Sequence, residues 1–258
     1  LSHILGHECE GTPDSYLKSK GWITRLSAGE YLDFHNHVSF TVTISLTKLG
    51  EQHLNEITSV IFQYIELMKR TKPQEWIFNE TESINEMNFN FRETGKPINT
   101  AIDVASNLQN YPARDVMARG IFSRDYDPEL ITHYLNLLNP RNMIILHESK
   151  SNTSVADKEE KWFKIKFTES QIDADLLQQW ETIESILPEL KIPEPNEFVA
   201  EDFAIKAFEQ PKCIEHPVLV NSGETGKKHG CFVWWKQDDV FKTSKSIETY
   251  VIRFPTCY

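Results

Sequence analysis

The first residues whose types and spacing could do chemistry are His3, His7 and Glu8. Histidines four apart share one face of a helix, and with a neighbouring carboxylate they make the beginnings of a zinc site. The spacing argues against an ion. H-E-x-x-H read from His7-Glu8 needs a histidine where Gly11 stands, and H-x-x-E-H read from His3 needs a glutamate where Gly6 stands. A catalytic zinc also needs a third protein ligand and a general base, and no other His/Glu pair at helical spacing stands out. The plainer reading of this stretch is a capped turn with a partly buried histidine and no metal site.

Other tempting groups are weaker. Cys9 beside His7 has no recognisable base or oxyanion hole and reads as a structural thiol. Gly223-Glu224-Thr225-Gly226-Lys227-Lys228 has Asn221 where a phosphate loop needs its first glycine, so it reads as an exposed turn. His35 and His37 fall in a polar loop. Phe232-Val233-Trp234-Trp235 reads as a packed strand, with an aromatic interface as the sharper alternative.

Composition narrows the class. The chain has 258 residues, 40% of them hydrophobic, enough for a sizeable core. Its formal charge of −11 disfavours a nucleic-acid surface, and no run of 18 apolar residues predicts a membrane span. Four cysteines without a C-x-x-C pair point to reduced thiols in a cytoplasmic protein. Leu1 opens directly into structured-looking sequence, without a signal peptide, as expected of a chain cut from something longer. The triplets at Asn79 and Asn152 that match the glycosylation sequon are common by chance.

The elements that must position the opening residues follow from periodicity. Thr12, Pro13 and Gly21 punctuate a short helix over 11–20. Residues 22–28 alternate as a strand, 30–36 read as a polar loop, and His37–Leu46 shows strict period two, with Val38, Phe40, Val42, Ile44 and Leu46 on one side. Helices follow over 47–70, 73–92, 98–110 and 113–120, and again from Asp127-Pro128 to Asn139. Met143–Leu146 is expected as a buried strand and Trp162–Phe167 as another. Ser170 and Asp173 fit a capping box ahead of a helix through Ile183. Residues 187–195 and 196–230, rich in proline and glycine, read as linker. Phe232–Trp235 and Ile247–Phe254 read as strands. The fold class is α+β, an antiparallel-rich sheet packed on one side by several helices and followed by an extended linker.

The stretches HILGHE, YLKSKGW and FQYIELMKRTKPQEWIF, then Leu138-Asn139-Pro140-Arg141-Asn142, Pro195-Asn196-Glu197-Phe198 and Trp235 to Asp239, are collinear with a known family. The chain resembles the insulysin branch of the pitrilysin-type inverzincin zinc metallopeptidases over nearly its whole length. The resemblance implies a non-catalytic second peptidase-homology domain over 1–205, a linker over 206–231 and the first strands of a third domain over 232–258. It places zinc, the H-x-x-E-H motif and the catalytic residues elsewhere in a parent zinc metalloendopeptidase, with no cofactor in this chain. It implies that His3, Gly6, Glu8, Leu26 and Ala28 form a substrate-binding exosite that anchors a peptide's N-terminus. The implied partners are peptide substrates and the remaining domains of the parent peptidase, with no nucleic acid or membrane; self-association of the full-length enzyme stays open. Ala28 stands where the family carries glycine, and residues 9–14 differ from the family pattern. A peptide-binding or scaffold module of a degenerate, inactive paralogue is therefore the alternative.

Overall fold

The computed structural model describes residues 1–34, 37–93, 95–118, 125–200, 202–204, 216–219, 232–236, 247 and 249–251. In chain order the elements are α1 (Ser2–Leu5), α2 (Pro13–Ser19), β1 (Ile23–Phe34), β2 (His37–Leu46), α3 (Leu54–Thr71), α4 (Glu75–Asn90), α5 (Pro97–Asn110), α6 (Pro128–Leu137), β3 (Lys158–Glu159), β4 (Lys166–Phe167), α7 (Ala174–Glu181), β5 (Val218–Leu219) and β6 (Trp234–Trp235). The three sheets are antiparallel pairs, β1–β2, β3–β4 and β5–β6. Helices with small antiparallel sheets make an α+β fold. Among the described residues no helix is long and apolar enough to cross a membrane.

The chain divides into two compact units, Leu1–Asn79 with Arg124–Pro195, and Glu80–Ser123 with Asn196–Tyr258. In the first, α3 is the central beam. Ile57, Val60, Ile61, Tyr64, Ile65 and Met68 recur at helical spacing and are buried against Leu5, Leu17, Ile23, Leu26, Trp180 and Leu190. Burying a side chain of this size stabilises by roughly 1.5–3 kcal/mol. The Tyr64 hydroxyl donates to the Lys191 carbonyl at 3.2 Å, and burial pushes its pKa well above the ordinary phenol value.

In the second unit the Phe91 and Phe203 rings stack at 5.0 Å, and the Asn196 amide donates to Glu80 Oε2 at 2.7 Å. Asn107 Nδ2 donates to the Val116 carbonyl at 3.0 Å.

The sheet β1–β2 departs from the expected alternation for a local reason. Ile23 pairs with Leu46 and Arg25 with Ser45, so Thr24 is an extra residue in β1. That bulge switches the side-chain phase and lets Ile23 and Leu26 both enter the core, 3% and 2% exposed, although they stand three positions apart. A second shift at Tyr31 carries β1 on to Phe34. The polar loop expected over 30–36 is therefore strand as far as Phe34, because ladder pairing uses backbone groups and tolerates polar side chains at a hairpin tip. Positions 35 and 36 lie outside the described residues. Val38, near that tip, is exposed, while Phe40, Val42, Ile44 and Leu46 are half-buried as the alternation requires.

Four further expectations are corrected. Met143–Leu146 is not a buried strand: it has no pairing partner among the described residues, and Ile144 and Leu146 are almost wholly exposed. Trp162–Phe167 is strand only at its end, because the Glu160 carboxylate accepts the Trp162 and Phe163 amides at 2.6 and 2.5 Å and holds a turn. The expected helix over 113–120 is a series of turns through Ala118, and 119–120 lie outside the described residues. Asp173 is itself the N-cap of α7, accepting the Asp175 and Leu176 amides, so Ser170 stands outside the cap.

Residues 187–195, read as linker, instead form a strap on the core. Leu190 is 5% exposed, Pro193 is buried, the Leu187 amide donates to Gln63 Oε1 at 2.9 Å, and the Lys191 amide donates to the Gly11 carbonyl at 2.8 Å. Prolines cost an extended strap no hydrogen bond it would otherwise make. The linker expected over 206–231, the turn at 223–228 and residues 252–254 fall largely outside the described residues. Ile247 and residues 249–251 are described and carry no strand.

Candidate functional site

The opening stretch folds back along β1. α1 is a single turn anchored by the fully buried Leu5. Thr12 caps α2 with its hydroxyl oxygen on the Ser15 amide and donates to the Cys9 carbonyl at 2.7 Å, which fixes the turn between the two helices. Pro13 occupies the first position of α2, and Gly21, at φ +70°, ends the run into β1.

The latch between α2 and β1 is Asp14, 1% exposed. Its Oδ1 accepts the Leu26 amide at 3.1 Å, and Oδ2 lies 2.8 Å from Lys18 Nζ. The Asp14 carboxylate, through its hydrogen bond, pushes the Lys18 ammonium pKa up. This bond also orients the strand. Because the Leu26 amide points away from β2, period two sends the Ala28 amide and the Leu26 and Ala28 carbonyls to the same outer edge. Pairing from Leu26–Ile44 to Glu30–Phe40 is regular, so no bulge interrupts that edge between them.

Gly6 sits against this edge. A methyl group at Gly6 would lie 3.0 Å from the Ser2 carbonyl oxygen and 3.1 Å from the Ala28 nitrogen. Its φ is −93°, so close approach rather than backbone conformation selects glycine. The Ala28 methyl packs against the core on the same face of β1 as Leu26.

Between the α1 turn and β1 opens a pocket of about 580 Å³. All five sequence-derived candidates, His3, Gly6, Glu8, Leu26 and Ala28, line it, and so do Ser2, His7, Arg25 and Ser27, which were not singled out as site residues. Glu8 and His3 are exposed at its mouth, and Glu8 makes no salt bridge among the described residues. Asp14 was also missed: it reads locally as a helix-start acid, and its partner Leu26 is 12 residues away.

The residues do not fit a catalytic zinc. His7 Nδ1 accepts the Cys9 amide at 3.2 Å, so the lone pair of that nitrogen is already engaged. The His3 and His7 rings meet edge to face at 5.2 Å. Among the described residues no group of three or more His, Cys, Asp and Glu side chains is placed to hold a metal ion. The arrangement offers instead outward backbone donors and acceptors beside one free carboxylate, which suits an extended peptide end.

A family model described as the middle or third domain of peptidase M16 matches residues 89–258. The chain belongs to the M16 peptidase family. It is 35% identical over 243 residues to the A-factor-processing enzyme of Saccharomyces cerevisiae, covering 93% of this chain and 23% of that protein. It is 30% identical over 258 residues to the insulin-degrading enzyme of Mus musculus, covering all of this chain and 25% of that protein. The chain thus spans about a quarter of the length of these M16 relatives. The crystal structure of pitrilysin shares the fold, with a TM-score of 0.72 at 19% identity over 86% of this chain and 23% of that one.

Proposed function

We propose that this chain is the non-catalytic, peptide-anchoring portion of an insulysin-like zinc metalloendopeptidase. The observation that carries the reading is the pocket in which Glu8 stands beside the outward edge of β1 at Leu26 and Ala28. A peptide laid along that edge adds a strand through main-chain hydrogen bonds, which tolerate many sequences. Its ammonium end pairs with the Glu8 carboxylate. Leu5 and Asp14 do not touch the peptide; they hold α1 and β1 at the spacing that makes the slot.

In this reading zinc, the catalytic residues and cleavage belong to other parts of a longer cytoplasmic polypeptide. The chain is laid out as a non-catalytic domain over 1–205, a connection over 206–231 and the start of a further domain over 232–258. The five candidate residues line one pocket beside an uninterrupted stretch of β1, which favours a working exosite over the relic of an inactive paralogue.

The test is binding of C-terminally labelled peptides, followed by fluorescence anisotropy, with free and with acetylated N-termini. A charge-assisted hydrogen bond is worth about 1.5–3 kcal/mol, so Glu8→Gln is expected to weaken free-ended peptides roughly tenfold or more and to leave acetylated ones unchanged. Equal losses for both kinds of peptide overturn the assignment of Glu8. One zinc per chain by elemental analysis overturns the non-catalytic reading.

A further inference from the structure

The pocket beside β1 carries a second charge besides Glu8. Arg25 lines it, is exposed, and makes no ion pair and no side-chain hydrogen bond among the described residues, Glu8 included. The strand dictates which face its side chain takes. Pairing with β2 is regular from Arg25 to Glu30, so Arg25 and Ser27 share the face opposite Leu26 and Ala28. Across the ladder Arg25 pairs with Ser45 and Ser27 with Thr43, so its neighbours on that face are neutral hydroxyls. In a chain whose formal charge is −11, the sheet gives this guanidinium no carboxylate.

A strand added to β1 brings its own side chains beside those of β1. Residues directly opposite each other in an antiparallel pair lie about 4.5–5.5 Å apart, and diagonal ones roughly 7–8 Å. Gly6, two residues before Glu8, packs on Ala28, which sets the ammonium end of a bound peptide level with Ala28. In a peptide running from there toward Leu26, the second residue stands beside Ser27 and the fourth beside Arg25, both on the face away from the core. The first and third stand on the other face, with Ala28 and Leu26. The planar guanidinium fork matches a carboxylate. We infer, on the strength of the peptide-anchoring reading, that Arg25 is a specificity residue of the slot and selects peptides with an Asp or Glu side chain at the second or fourth position. The site then reads two charges of one ligand, the ammonium at Glu8 and a carboxylate at Arg25.

The test is fluorescence anisotropy on the full-length protein, with a metal chelator present so that bound peptide is not cut. The probes are C-terminally labelled peptides with free N-termini that carry Glu, Gln or Lys at one of the first four positions. Glu at position two or four is expected to bind roughly two- to fivefold tighter than Gln there, the range of an exposed ion pair, and the gain should shrink at high salt. Arg25→Gln removes the preference, and Arg25→Glu reverses it in favour of Lys. Arg25 is exposed, so neither variant disturbs the core. Free-ended peptides that bind better than acetylated ones but equally with Glu and Gln overturn this inference and leave the anchoring reading standing. No difference between free and acetylated ends overturns both. A preference for Glu that survives Arg25→Gln, or one confined to the first and third positions, overturns the assignment to Arg25.

Discussion

Two extended stretches in the first unit, β1 and Met143–Leu146, differ in polarity and in what supports them. The outer edge of β1 is short, flanked by Ser27, Arg25 and Glu8, and held rigid from behind by Leu5, Leu26 and the Asp14 latch. Met143–Leu146 is apolar on both faces and makes no backbone ladder among the described residues. An edge that must bind and release many peptides cannot rely on apolar area, which would also recruit other edges; it relies on preorganised main-chain groups and one charge. Met143–Leu146 carries no such charge. Polarity and support from behind thus mark β1, and not the apolar run, as a ligand site.

The sharpest way to break that contrast is to unlatch β1. Asp14→Ala leaves the Leu26 amide buried without an acceptor, at an expected cost of about 1–3 kcal/mol in the stability of the chain. Urea unfolding midpoints measure it, and peptide affinity should fall with it as α2 and β1 separate. Asp14→Asn keeps an oxygen for the Leu26 amide and should lose less. Unchanged peptide affinity in a destabilised Asp14→Ala chain would mean that the edge needs no support from α2.

Gly6→Ala is the next smaller perturbation. Its methyl meets two backbone atoms at 3.0 and 3.1 Å, so the turn must shift, at a cost of roughly 1 kcal/mol for a mild overpacking. Ala28→Gly should not rescue it, because the Ala28 methyl lies farther away, at 3.6 Å, and the Ala28 nitrogen remains. Rescue, seen as a restored unfolding midpoint in the double variant, would show that the side chain at position 28 sets the width of the slot.

What the sequence revealed and what it hid divide along the same physical line. The stripe of α3, the caps at Thr12 and Asp127 and the alternation of β2 rest on local periodicity and local hydrogen bonds, and each is legible in residues a few positions apart. The bulge at Thr24 that brings Ile23 and Leu26 together, the Asp14–Leu26 latch and the strap at Leu190 depend on partners 12 or more residues away, which no local period encodes. The apolar run at 143–146 has the composition of a strand but forms none among the described residues. Its burial is not legible locally, because burial depends on what lies beside it. For the site, the residues offered by family resemblance do converge on one pocket, whereas Ser27 and Arg25 show no distinguishing pattern of their own.

The smallest expected effect lies at the base of the second stretch. Arg141, two residues before Met143, grips the α7 residue Glu181 with Nε 2.5 Å from Oε1 and Nη2 2.7 Å from Oε2. The hydrogen bond from Arg141 holds the Glu181 carboxyl below its ordinary pKa of 4.5. A carboxyl depressed by folding stabilises only while ionised. The contribution of this pair is therefore complete above the ordinary value of 4.5 and lost as the pH falls through the depressed one. Both groups are exposed enough for water and salt to screen them, so Glu181→Gln should shift the unfolding midpoint at pH 7 less than either variant above. It should also flatten the acid limb of the stability profile below the ordinary carboxyl value of 4.5. Exchange at 143–146 in the chain alone should be unchanged by Glu181→Gln, since those amides have no ladder to lose. Faster exchange there would show that the clip governs the order of the second stretch.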